Sequence, residues 1–232
     1  MLSPMRAILA VILLLTPAFG VLYNVDQPVP ISLAHGEYYV GARLWGQGGA
    51  LLRFGVGLFD RVTLGMSYGG NRFLGNDAMS LYPRPEFQAR LAILNEEGYI
   101  PALALGFESQ GYDETLGTSY QTLPRGGYLC AGKTIAPIRT FVQLGVSYWS
   151  SMDAFVVANC LLPGNVELIA EYDPALNDKR GIDTWRGGLL NFGIGWTFAE
   201  KVRLVLGLRD VIGNRPETHL NRILEISIND HF

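Results

Sequence analysis

The sequence is poor in charge and in cysteine, and after its first 20 residues it has no long uninterrupted apolar run. Only 17% of the 232 residues are charged, against about 25% in typical soluble proteins. Disordered chains combine high charge with few apolar residues, and here hydrophobic residues make up 49%, so disorder is excluded. Two cysteines are too few for a disulfide framework or a four-cysteine zinc site.

The charge balance and the missing catalytic motifs narrow the function further. A net charge of -3 and a pI near 5.6 give no electrostatic reason to expect a nucleic-acid partner. The sequence lacks HExxH, GxSxG and P-loop motifs, and no nucleophile–base pair can be recognised. We therefore predict that the protein is not an enzyme and binds no cofactor, metal ion or nucleic acid.

The first 20 residues have the layout of a secretory signal peptide. Arg6 precedes an apolar run over 7–15, and this run is followed by small residues of the kind found before a cleavage site. The run is shorter than the roughly 20 residues that a membrane-spanning helix needs. We predict cleavage near Gly20, with a retained anchor as the alternative, and a single barrel domain over 21–232.

The sequence is rich in glycine, with 28 residues, and in apolar side chains at every second position. That period is typical of strands with one apolar face. Nine segments show it clearly, and weaker segments at 37–45, 125–133 and 153–161 bring the total to about twelve. They are long enough for tilted strands to cross a bilayer, which takes about 9–11 residues. No segment has a convincing helical period.

Short and long connections alternate between these segments. The short turns fall at 60–61, 95–99, 134–137, 162–165 and 199–201, and longer polar stretches fall at 71–84, 111–124, 174–185 and 213–218. Two connections on the side of the longer stretches are also short, near 47–49 and 150–152. Bacterial outer-membrane barrels have short periplasmic turns and longer outer loops. We predict an all-β, antiparallel, up-and-down transmembrane β-barrel of about 12 strands in the bacterial outer membrane. The alternative is a soluble β-sandwich.

Aromatic residues and the C-terminus favour the barrel. Rings lie at the edges of the apolar face, where lipid interfaces are expected: Phe59, Tyr68, Phe107, Tyr148, Tyr172, Trp196 and Phe198. The last residue, Phe232, is in phase with the apolar residues of its strand, and this ending resembles the terminal recognition signal of outer-membrane proteins. We predict outer-membrane lipid and the barrel-assembly machinery as partners.

If the apolar face meets lipid, the opposite face points into the lumen, and its charges have mixed signs. The ten candidate lumen residues are Arg53, Glu86, Arg90, Glu108, Glu167, Glu171, Asp173, Arg203, Arg209 and Glu225. Two interpretations stay open. Arginine–carboxylate pairs brace a narrow lumen, or the same groups line a water-filled passage that selects a polar solute. Glycine suits either, because side chains must be small where a curved wall closes inward.

The two cysteines fall on the sixth and eighth predicted strands. With a whole strand between them, the backbones of Cys130 and Cys160 would lie roughly 10 Å apart, which is beyond the reach of a disulfide. The sequence therefore predicts two free thiols.

A family resemblance rests on four segments, YGGNRFLG at 68–75, YPRPEFQARL at 82–91, PALALGFESQGY at 101–112 and AEYDPALND at 170–178. They resemble the YjbH-like outer-membrane proteins linked to exopolysaccharide gene clusters, and the smaller barrels related to them. The resemblance implies an outer-membrane barrel connected with surface polysaccharide, and it brings no active residues. This chain is much shorter than the full polysaccharide-associated members.

Two functions follow as hypotheses. The first is a small channel, or an accessory for surface-polysaccharide export, that passes polysaccharide or a small polar solute. The second is a structural or adhesive barrel with a plugged lumen, whose outer loops at 71–84, 111–124 and 174–185 bind a partner.

Overall fold

A computed structural model describes residues 21–75, 78–111, 122–177, 188–214 and 220–232. The signal peptide predicted over 1–20, and parts of the predicted outer loops, lie outside these described residues. Within the described part of the chain, no helix is long and apolar enough to cross a membrane.

The described chain folds into thirteen strands, twelve of which form the wall of a barrel. Their bounds are β1 (Glu37–Trp45), β2 (Gly49–Leu58), β3 (Val62–Asn71), β4 (Ser80–Leu81), β5 (Glu86–Leu94), β6 (Ala102–Glu108), β7 (Gly126–Ile135), β8 (Thr140–Trp149), β9 (Ser151–Leu162), β10 (Val166–Asp173), β11 (Leu189–Phe198), β12 (Val202–Arg209) and β13 (Asn221–His231). The two-residue β4 pairs with the end of β3, at Gly70 and Asn71, beyond the residues of β3 that pair with β5. Single turns of 3-10 helix, Gly46–Gly48 and Ala136–Ile138, lie in two connections.

The sheet closes on itself. Each wall strand pairs antiparallel with its sequence neighbours, and β1 pairs with β13 from Glu37 opposite His231 to Trp45 opposite Ile223. Closure satisfies the backbone hydrogen bonds of all twelve wall strands, as a spanning sheet in lipid requires. The predicted closed antiparallel barrel of twelve strands is confirmed, and the three weaker segments are the strands β1, β7 and β9.

The two ends of the barrel differ as the alternating connections indicate. At one end, called the short-turn end, the wall strands are joined by the connections 59–61, 95–101, 136–139, 163–165 and 199–201. At the other, called the long-loop end, lie 46–48, 72–85, 109–125, 150, 174–188 and 210–220. The N-terminus of β1 and the C-terminus of β13 both lie at the short-turn end.

The outer surface of the wall is apolar. Side chains such as Leu144, Phe192 and Ile226 are 63%, 45% and 45% exposed, as the alternation predicts for a face that meets hydrocarbon. All seven predicted edge aromatics are exposed. Phe232 is exposed as well, and its ring centroid lies 5.2 Å from that of Tyr38.

Candidate functional site

The chain before β1 lies inside the barrel. Residues 21–36, here called the plug, bury Leu22, Tyr23, Val25 and Leu33 almost completely. The plug folds back on itself as a hairpin, in which the Asn24 N–H donates to the Gln27 carbonyl at 2.9 Å. The sequence predicted no structure for these residues.

The plug reaches from one end of the lumen to the other. Near the short-turn end, the Leu33 N–H donates to Thr63 Oγ1 at 2.8 Å. Near the long-loop end, Asp26 contacts Arg209, the last residue of β12. The lumen is therefore occupied along most of its length.

Asp26 at the hairpin tip is held by two buried arginines from neighbouring parts of the wall. Arg209 Nε lies 2.7 Å from Asp26 Oδ2, and the Arg43 guanidinium pairs with Oδ1. Asn191 donates a further hydrogen bond at 3.1 Å. Burial alone would raise the pKa of the Asp26 carboxyl, but Arg209 and Arg43 outweigh it and hold the pKa well below its usual value.

Glu171 on β10 holds the backbone of the same tip. Its carboxylate accepts hydrogen bonds from the backbone N–H groups of Val25 at 2.7 Å, Asp26 at 2.9 Å and Gln27 at 3.1 Å. Such charge-assisted bonds are stronger than bonds between neutral groups. A buried carboxylate of the wall thus satisfies three backbone donors that the hairpin turn leaves open.

Two further wall arginines bind carbonyl groups of the plug. Arg90 donates to the Leu22 and Ile31 carbonyls at 3.0 and 2.9 Å. Arg203 donates to the Tyr23 carbonyl at 3.1 Å and pairs with Glu167 at 2.5 Å. Because guanidinium carries five donors in a fixed plane, each side chain can join the plug to the wall at several points.

Tyr23 is the largest plug side chain in the lumen. Its hydroxyl donates to Glu108 at 2.9 Å and contacts Gln88. The Arg53 guanidinium lies 4.3 Å from the centroid of the Tyr23 ring, within the range of a cation–π contact. Arg53 also pairs with Glu225 at 2.9 Å, so the ring is enclosed by charged wall residues.

The structure places the ten candidate lumen residues around the plug. Seven contact it directly: Arg53, Arg90, Glu108, Glu171, Asp173, Arg203 and Arg209. Glu225 and Glu167 pair with arginines that do so, and Glu86 pairs with Arg84 at 3.2 Å. Asp173 and Glu167 are half-buried and the other eight are buried. Seven of these ten charged residues contact the plug, and two pairs join members of the set to each other, Arg53 with Glu225 and Arg203 with Glu167.

Sequence reasoning missed Asp26 and Arg43. Arg43 shares the inward phase of β1 with Tyr39 and Gly41, so assigning faces to that weak strand would have found it. Asp26 carries no comparable signal, because its partner Arg209 lies 183 residues away in the chain.

Glycines in the wall make room for the plug. A Cβ added at Gly57 would lie 1.9 Å from the Ala34 carbonyl oxygen, and one at Gly193 would lie 2.7 Å from Val25 Cγ2. Both distances are too short for real carbon contacts, so the plug backbone at Ala34 and the Val25 side chain approach the wall more closely than a side chain at Gly57 or Gly193 would allow. Part of the glycine excess is therefore a packing requirement of the filled lumen.

A polar cleft remains at the long-loop end, above the hairpin tip. The space inside it that water can occupy is about 30 Å³. The tip residues Asp26 and Gln27 line it, together with Glu108, Arg125, Asp153 and Asp173 from or next to the wall strands. We call it the outer cleft.

A closed antiparallel barrel with an apolar outer belt and a polar interior has the architecture of an outer-membrane barrel. No protein-family model and no curated protein matches the sequence. Among solved structures, the KdgM porin, and the KdgM porin in complex with disordered oligogalacturonate, are similar with a TM-score of 0.51 each. Their identities are 8% and 7%, over 84% of this chain and 99% of theirs.

The Acinetobacter baumannii outer membrane protein Omp33 aligns with a TM-score of 0.45 and 5% identity, over 84% of this chain and 97% of Omp33. At such identities, the likeness to the KdgM porin shows a shared fold and leaves the ligand of this protein to be argued from its own residues.

Proposed function

We propose that this protein is a non-enzymatic outer-membrane barrel that is closed by its own N-terminal plug and acts through its long-loop end. The observation that carries the proposal is the burial of the plug in the lumen, with the buried Asp26 held by Arg43 and Arg209. A pore needs a continuous water-filled path, and the plug occupies that path.

The contacts of the plug support a stable closed state. Hydrogen bonds to charged groups contribute about 1.5–3 kcal/mol each, and the plug makes such bonds to Glu171, Arg90, Arg203 and Arg209. The burial of Leu22, Tyr23, Val25 and Leu33 adds an apolar contribution to these bonds and offsets the conformational entropy that the plug loses on ordering.

Maturation and orientation follow from the same proposal. The short-turn end faces the periplasm and the long-loop end faces outward, as in other outer-membrane barrels. Cleavage near Gly20 would make Val21, the first residue of the plug, the mature N-terminus. The barrel-assembly machinery would recognise the C-terminal strand through Phe232, and outer-membrane lipid would cover the apolar belt.

The second candidate function is a gated channel or accessory for surface-polysaccharide export, with the plug as the gate. The resemblance to YjbH-like proteins favours it, as does the fold shared with a porin. Twelve strands spaced about 4.8 Å apart and tilted by about 40° give a barrel roughly 24 Å across between opposite backbones. Once the plug withdrew, an extended saccharide would fit.

Planar-bilayer recording of the refolded protein tests the proposal. The full chain should carry no steady current, and a variant lacking residues 21–33 should conduct, with its fold checked by far-UV circular dichroism. Steady conductance of the full chain at low voltage would show that the lumen is open and would overturn the closed state. Openings of the full chain only when a saccharide is added would favour the gated channel.

A further inference from the structure

A groove, here called the wall groove, crosses the lipid-facing surface of the barrel over β9 to β13. Its floor is the backbone of four residues that lie side by side on β10 to β13: Ile169, Gly193, Gly207 and Ile223. The two isoleucine side chains are buried on the inner side of the wall, so the outer side of this row is bare. The space in the groove that water-sized molecules can occupy is about 680 Å³, within the range of about 300–1,000 Å³ typical of ligand sites.

The sides of the wall groove are apolar. Phe192 and Leu208 form a pair across β11 and β12 on the side of the long-loop end, and Ile194 and Leu206 form the next pair towards the short-turn end. These four side chains are 40–55% exposed. Because they stand on a face that meets hydrocarbon, the groove between them is suited to an acyl chain.

One charged residue lies at the edge of the wall groove. Arg222 is the second residue of β13, is paired with Leu208 and lines the groove. It alternates with the buried Ile223 and is exposed, so its side chain faces outward. Tyr172, an outward-facing ring near the same end of β10, lies where lipid head groups are expected, since such rings mark the membrane interface.

The charge of Arg222 is exceptional for its place on the wall. Over the described wall strands, the charged residues at outward positions are Lys133, Arg222 and Asp230. Lys133 and Asp230 lie near the short-turn end and pair with Glu96 and Lys201. Among the described residues, the guanidinium of Arg222 has neither a hydrogen bond nor an ion pair.

The loops beside the wall groove add no net charge by their sequence. The connections that flank β9 to β13 at the long-loop end are 46–48, 150, 174–188 and 210–220. Together they carry four lysine or arginine residues and four aspartate or glutamate residues. The positive charge at the groove is therefore that of Arg222, and it favours a ligand with an anionic group.

We propose that the wall groove binds a phosphorylated lipid of the outer leaflet, with an acyl chain along its floor and a phosphate on Arg222. A guanidinium donates two parallel hydrogen bonds to phosphate oxygens, and a long arginine side chain places its charge in the head-group layer. Lipid A, the phosphorylated glycolipid of bacterial outer membranes, has this chemistry. The inference rests on the proposed function, because Arg222 reaches the outer leaflet only if the long-loop end faces outward.

Native mass spectrometry of the full chain, titrated with lipid in detergent micelles, tests this inference with three probes. They are lipid A, lipid A from which the phosphates have been removed, and phosphatidylglycerol. Lipid A should form a one-to-one adduct, and the dephosphorylated form should bind at least about tenfold more weakly, the size expected for one charged hydrogen bond. Phosphatidylglycerol should also bind more weakly, because its phosphodiester carries one negative charge, whereas a phosphate monoester carries about 1.5 to 2.

Arg222→Gln is the diagnostic variant for the phosphate. It should weaken the binding of lipid A about tenfold or more and leave the binding of the dephosphorylated form unchanged. Arg72→Gln makes the same change at an exposed site just after β3 at the long-loop end, away from the groove, and should leave lipid A binding unchanged.

Ala170→Phe is the diagnostic variant for the acyl chain, because it fills the wall groove from an outward position of β10. It should weaken the binding of both forms of lipid A. Ala89→Phe, on the outward face of β5, adds the same ring elsewhere on the wall and should not weaken binding. Far-UV circular dichroism checks that both variants fold.

Four results would overturn the inference. They are equal binding of the dephosphorylated lipid, equal binding of phosphatidylglycerol, unchanged lipid A affinity in Arg222→Gln, or dimers without bound lipid that Ala170→Phe disrupts, which would assign the groove to a second copy of the chain. Bilayer recording separates this failure from a failure of the closed state. A silent chain without a lipid A adduct keeps the plug and loses only the lipid site, whereas a conducting chain with the adduct does the reverse.

Discussion

Replacing Asp26 by asparagine should open the barrel. The substitution keeps the size of the side chain but removes the Asp26 carboxylate from the buried guanidiniums of Arg43 and Arg209 in the closed state. With the plug withdrawn, water would solvate both arginines. The substitution therefore destabilises the closed state and leaves the open state unchanged. Breaking a buried ion pair costs about 3–5 kcal/mol.

That loss is large enough to measure as channel activity. Since each 1.4 kcal/mol is a factor of ten, the ratio of closed to open barrels should fall roughly 100- to 5,000-fold in Asp26→Asn. Single-channel recording should then show frequent openings where the wild-type protein is silent.

Asp230→Asn is the matched control. Asp230 pairs with Lys201 at 2.7 Å on the exposed rim of the short-turn end, and exposed pairs contribute little, so this variant should stay as silent as wild type. If Asp26→Asn were equally silent while the variant lacking residues 21–33 conducts, the arginine pair would not be what holds the plug.

Three further predictions concern packing, pH and the thiols. Gly57→Val should raise channel activity by displacing the plug backbone, whereas Gly127→Ala, with no atom within 4 Å of the added carbon, should not. Because the pKa of Asp26 is lowered, the stabilisation of the closed state by its charge is complete above the usual pKa of 3.8 and is lost only as the pH falls towards the lowered pKa. Recordings should therefore stay silent from pH 7 to about pH 5. Openings already at pH 5 would contradict this. Cys130 and Cys160 are both free, so mass spectrometry of the unreduced, unfolded protein should find two alkylations, and finding none would contradict the strand assignment.

The barrel could be predicted because lipid imposes a strict pattern on its outer face. Every second residue must be apolar where a strand meets hydrocarbon, whatever the lumen contains. The pattern was weakest in β1, β7 and β9, and the structure shows why. Tyr39, Tyr128 and Phe155 are buried on the inner side of these strands, so both faces carry large apolar residues and the alternation is blurred.

The plug could not be predicted from pattern or motif. Residues 21–36 have neither strand nor helix periodicity, and their partners come from the whole length of the chain, for example Glu171 for Val25 and Arg203 for Tyr23. The sequence indicated that wall glycines leave space in the lumen. Only the three-dimensional arrangement shows that the chain fills part of that space with its own N-terminal segment.

A disulfide between the plug and the wall tests most directly whether residues 21–36 occupy the lumen. In a Cys130→Ala, Cys160→Ala background, Val25→Cys and Gly193→Cys would bring two thiols together, because a Cβ at Gly193 lies 2.7 Å from Val25 Cγ2. If the plug fills the lumen, the refolded, oxidised chain should lose both thiols within one molecule and stay silent in bilayers. Two free thiols that a water-soluble maleimide labels in the folded protein would contradict it.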